Sequence, residues 1–113
     1  MIGEVPPVLV VFDNQTIRDR SAGAQGHAIS WADITRVSVE VTAVGSNDTE
    51  LTWVIAGRHG RNEVCIPMGA PGEAELVCAM QRRLPDFDNM AVVEALSSAE
   101  VATFVVWEAP AKH

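Results

Sequence analysis

The sequence predicts an α+β fold: a strongly bent antiparallel sheet or roll, followed by two C-terminal helices and a final strand. Three observations predict it. Apolar residues alternate with polar ones from Val37 to Ala43 and again through Leu51–Ile55 and Val64–Met68, the period of a half-buried strand. The segment "ISWADI", Ile29 to Ile34, breaks the strand pattern with residues suited to one helical turn. From Pro71 the apolar period lengthens from that of a strand to that of a helix. The 113 residues are expected to form one domain over 1–113, with the roll and a capping helix in 8–84 and a helix–strand extension in 85–113. A chain of this size buries roughly 65% of its unfolded surface without metals or disulfides.

Each element has a local reason. "VLVVF", Val8 to Phe12, is apolar at every position and predicts a strand covered on both faces. Asp13-Asn14 supplies turn chemistry, and "TIRDR" returns as a more exposed hairpin partner. "SAGAQG", 21–26, reads as a loop. Ser30 and Asp33 have the spacing of a capping box, enough to start one turn after Trp31 and to point Ile34 back to the core. Such a turn lets the chain change direction at the corner of a curved sheet.

Beyond the corner, Val37, Val39, Val41 and Ala43 share the inner face, and Ser38, Glu40 and Thr42 the outer one. After the "GSNDTE" loop, Leu51, Trp53 and Ile55 face Val64, Ile66 and Met68 across a hairpin whose tip is "RHGR". Pro67, which cannot donate to a ladder, places its strand at an edge. Pro71, Glu73 and Glu75 suit a helix start, Leu76, Val77, Met80 and Leu84 form its apolar stripe, and Arg82 and Arg83 complement the negative end of its dipole. Pro85 ends it. A second helix is capped by Asp88, with Phe87 stapled onto Val92 and with Val93 and Leu96 continuing the inward face. "VATFVVW" is apolar on both sides and predicts a buried final strand.

With "ISWADITRV", two alternating strands joined by "GRHGR" and a helix ending in "RRL", the chain resembles the bacterial pleckstrin-homology-like (PH-like) and GRAM-type domains over about residues 8–84. The remainder, "LPDFDNMAVVEAL" and "FVVW", resembles a segment of small uncharacterised bacterial proteins that share the tryptophan corner. The resemblance implies a bent sheet with the helix plugging its open end. It implies no phosphoinositide site here, because Asp13, Arg18, Asp19 and Arg20 in the first hairpin nearly cancel. It also leaves the second helix and last strand as additions to the simple PH-like plan.

Composition narrows the function classes. A formal charge of −7 repels phosphate backbones and anionic lipid, so nucleic acid is not an expected partner and a cationic protein is. No run reaches the roughly 18 apolar residues of a membrane span, and "MIGEVPPVLVVF" lacks the basic start of a secretion signal, so cytoplasmic residence is expected. Cys65 and Cys78, separated by twelve residues, form no CxxC pair and are expected to pack as small apolar groups. No cofactor is implied.

Candidate chemistry is sparse. His27, Ser30 and Asp33 are the residue types of a hydrolase triad, but strand spacing sends His27 and Ser30 to opposite faces, and turn capping explains Ser30 and Asp33. Cys65 beside His59 could make an activated thiolate, against which stands packing of the cysteine within or at the edge of the sheet. "DFDN", Asp86 to Asn89, offers oxygens as calcium loops do, yet lacks their glycine and glutamate, so capping is the reading taken. Trp31, Trp53 and Trp107 are expected in or beside the core rather than on an exposed aromatic platform.

The basic hairpin tip, Arg58, His59 and Arg61, is the candidate binding site for a carboxylate, phosphate or anionic headgroup. The leading functional expectation is a non-enzymatic protein-interaction module, in one form an antidote-like binder of a basic protein. The alternatives are ligand binding at that tip and a small hydrolase using Ser30 or Cys65. A homodimer through an exposed strand edge or the second helix is left open.

Overall fold

The computed structural model describes residues 9–20, 28–44, 48–58, 63–98 and 100–109. The order of elements is β1 (Leu9–Phe12), β2 (Thr16–Arg20), β3 (Ala28–Ser30), a 3₁₀ turn (Trp31–Asp33), β4 (Ile34–Val44), β5 (Asp48–Gly57), β6 (Glu63–Pro67), α1 (Glu73–Arg83), α2 (Asn89–Ser97) and β7 (Ala102–Glu108). These form an α+β structure of two antiparallel sheets, ordered β1-β2-β3 and β6-β5-β4-β7, with no closed barrel among the described residues.

The tryptophan turn is where the chain leaves the first sheet for the second. Ser30 Oγ accepts the Ala32 N–H at 3.3 Å, and the Ile34 N–H donates to the Trp31 carbonyl, so one short capped turn carries the chain from one sheet to the other. Trp31 and Ile34 are both buried at this corner, as the sequence predicts. Beyond it, Val37, Val39 and Val41 of β4 lie opposite Ile55, Trp53 and Leu51 of β5, and Trp53 and Ile55 in turn oppose Ile66 and Val64 of β6. That apolar face forms one core with Leu76, Ala79 and Met80 of α1 and with Leu84 just beyond it. Pro67 is in an edge strand, as expected.

Two polar anchors join α1 to the sheets. Trp53, fully buried, donates its indole N–H to Glu73 Oε2 at 2.8 Å, while Glu73 Oε1 accepts from the Gly69 N–H at 3.2 Å. The helix begins at Gly72, whose φ is +92° and where a Cβ would lie 2.4 Å from the Val10 carbonyl oxygen. Only glycine meets both demands.

Several expectations need correction. Val11 is exposed while its neighbour Val10 is buried, so the "VLVVF" strand has one face covered and the other open. β7 pairs with β4, which joins the helix–strand extension to the main sheet, but one of its faces is uncovered: Thr103 and Val105 are exposed and Val106 is buried, while a register shift at Val37 and Ser38 sets Trp107 opposite Val37. Ala43 is exposed near the end of β4. Cys65 and Cys78 both present exposed side chains, one on β6 and one on α1, rather than packing inside.

The largest correction concerns α2. Its cap is as expected, Asp88 Oδ1 accepting the Ala91 N–H at 3.1 Å, but the buried residues are Ala91 and Ala95, with Val92 half-buried and Val93 and Leu96 exposed. Phe87 lies against Trp53, ring centroids 6.3 Å apart. Two alanines let the helix backbone approach the sheet closely, and that choice of face points the large side chains outward.

Candidate functional site

Of the tip residues Arg58, His59 and Arg61, only Arg58 lies within the described part of the chain; His59 and Arg61 fall outside it, as does His27. Arg58 follows β5 and reaches back to the corner, where its Nη2 donates to the Ala32 carbonyl at 3.4 Å. The structure therefore brings Arg58 beside the tryptophan turn.

Arg83 arrives at the same place from the last turn of α1. Its guanidinium lies 4.3 Å from the centre of the Trp31 ring, and its Nη2 donates to the Asn14 carbonyl at 2.8 Å. The other contacts of Trp31 fix the ring: Phe12 meets it edge-on at 6.3 Å, and its indole N–H donates to the Asp13 carbonyl at 2.8 Å. Trp107, near the end of β7, is held similarly by donation to the Pro85 carbonyl at 2.7 Å. Between these groups lies an open groove of about 570 Å³, bordered by Trp31, Ile34, Arg58, Arg83, Leu84 and Trp107. Sequence reasoning assigned Arg83 to the helix dipole alone. Nothing in its spacing shows that the end of α1 meets the corner.

Ser30 Oγ is engaged as a cap, and the Cys65 thiol donates to Glu63 at 3.8 Å. Among the described residues no three of the His, Cys, Asp and Glu side chains cluster as a metal site would require. No helix among them is long and apolar enough to cross a membrane.

A second surface lies on α2. Met90, Val93 and Leu96 follow one another at three-residue spacing and form one outward stripe, 67%, 51% and 59% exposed, and Val101 continues the exposure in the link to β7 at 66%. Residues 84–109 contain Asp86, Asp88, Glu94, Glu100 and Glu108 and not one lysine or arginine. All five carboxylate residues are exposed. Glu108 faces Arg36 of β4 at 3.6 Å, a solvent-exposed pair of small energetic weight. No family model, curated protein or solved structure matches the chain.

Proposed function

We propose that the protein is a non-enzymatic interaction module whose α2 face docks a cationic protein. The observation that carries this reading is the coincidence on one segment of an exposed Met90–Val93–Leu96 stripe with five acidic side chains and no lysine or arginine of its own. A monomer rarely exposes several large apolar side chains in a row without a partner, and the three would contribute to the centre of an interface. The acidic surround selects a basic partner and raises its rate of encounter. A second copy of the chain is disfavoured on the same ground, since a symmetric contact sets like charges against each other. Kinship with the PH-like domains belongs to the same proposal, with the bent sheet acting as the support for the added helix and strand.

The test is affinity capture at low and moderate salt, with identification of what is retained, comparing wild type with a Val93→Ser/Leu96→Ser variant and a Glu94→Gln/Glu100→Gln variant. The expected result is a basic protein retained by wild type, lost from the serine variant, and bound by the glutamine variant with a slower association rate and weaker salt dependence. Retention of the same proteins by the serine variant would contradict the proposal. So would self-association abolished by the serine substitutions, which would assign the stripe to a second copy.

A further inference from the structure

We propose that the groove at the tryptophan corner binds a small amphipathic anion, a carboxylate or phosphate carried on an apolar body. The molecule has 15 acidic and 8 basic side chains, yet the described lining of this groove holds two arginines and no carboxylate. That local reversal of sign is the first support. Arg58 and Arg83 come from different elements and flank adjacent residues, one bonding the Ala32 carbonyl and the other stacking on Trp31. Each of these hydrogen bonds occupies one nitrogen, and a guanidinium has five N–H donors in a planar fork, so both retain donors for an anion.

The remaining walls define the rest of the ligand. Ile34, Leu84 and Trp107 offer apolar surface that inorganic phosphate cannot use, and a volume of about 570 Å³ suits a small organic molecule. The site is built before any ligand arrives: Trp31 is fixed by Phe12, Arg83 and the Asp13 carbonyl, and Trp107 by the Pro85 carbonyl. Little side-chain ordering remains to oppose binding. The carboxylates Asp86, Asp88 and Glu108 line the adjoining depression on the far side of Pro85 and Trp107, where Glu108 faces Arg36. This site is separate from the α2 stripe and stands or falls independently of it.

The experiment titrates the full chain with octanoate and with octyl phosphate, reading tryptophan fluorescence and heat, with octanol and inorganic phosphate as controls. Vesicles containing phosphatidylserine form a further arm. Both octyl anions are expected to bind, and octanol and inorganic phosphate are not. Arg58→Gln and Arg83→Gln should each weaken octanoate at least about tenfold, roughly 1.4 kcal/mol, with Arg83→Lys recovering part of the loss and Val93→Ser/Leu96→Ser binding as wild type does. Circular dichroism establishes that each variant is folded, and Arg58→Gln keeps the test valid if Arg83→Gln is not. Binding to vesicles that depends on the same arginines assigns the anion to a lipid; binding of the free octyl anions alone assigns it to a soluble metabolite class. Equal binding of octanol and octanoate, unchanged affinity in folded arginine variants, or no binding at millimolar octanoate would overturn the proposal.

Discussion

At the scale of single residues, the three tryptophans share a solution to one problem. Each puts a large ring in or beside the core while its indole N–H needs an acceptor, and each finds one: the Asp13 carbonyl, the Glu73 carboxylate and the Pro85 carbonyl. Trp53 is the most consequential, because its partner is charged and partly buried. Trp53→Phe removes the donor while keeping most of the ring, and should lower stability by about 1–3 kcal/mol in urea unfolding. In a double-mutant cycle with Glu73→Ala the double variant should lose less than the sum of the two single losses, and strict additivity would show that the contact contributes nothing. Asp13 supplies a pH-dependent counterpart. The Thr16 N–H and then the Gln15 N–H, each 2.8 Å from its Oδ1, hold its carboxyl below the ordinary value of 3.8. Because the folded pKa is the lower one, the stabilisation is complete above the unfolded value and disappears as pH falls through the folded value. The stability difference between wild type and Asp13→Ala should therefore hold at neutral pH and narrow only below about pH 4. A difference that stays constant into acid would remove the carboxylate from the account of this turn.

At the scale of elements, the 3₁₀ turn and the start of α1 are the two joints. Ile34 is 4% exposed at the first joint, so Ile34→Ala should lose about 2–4 kcal/mol, with Ile34→Val losing about 1. At the second, Gly72→Ala combines a positive φ with a Cβ driven against the Val10 backbone oxygen, and should cost at least about 2 kcal/mol by thermal or urea unfolding. A small effect at Gly72 would mean that β1 and α1 can separate without loss. Much of this was legible in the sequence, because it is local: Ser30, Trp31 and Ile34 mark the turn, Pro67 the edge, Asp88 the cap, and the alternation of Val37 to Val41 the inner face. The orientation of α2 was not legible. Helical periodicity offers two faces, one of alanines and one of larger residues, and hydrophobicity alone favours the larger. The distance available beside β4 and β7 decides for Ala91 and Ala95, and that distance belongs to the tertiary structure.

At the scale of the whole molecule, charge and apolar exposure are distributed unequally. Residues 84–109 carry five acidic side chains and no lysine or arginine, together with the exposed stripe of α2, while the corner gathers Arg58 and Arg83 around Trp31. Net charge was legible in the composition, but the gathering of cations into one groove required the fold, because Arg58 and Arg83 are far apart in sequence and border the same groove only when α1 closes on the corner. The central claim is that α2 presents a docking face. Methyl cross-saturation from the captured basic protein onto the methyl-labelled chain tests it most directly. Attenuation should concentrate on Met90, Val93 and Leu96, with Ile34 and Leu84 unaffected. Attenuation centred instead on the corner groove or on β6, with α2 silent, would contradict it.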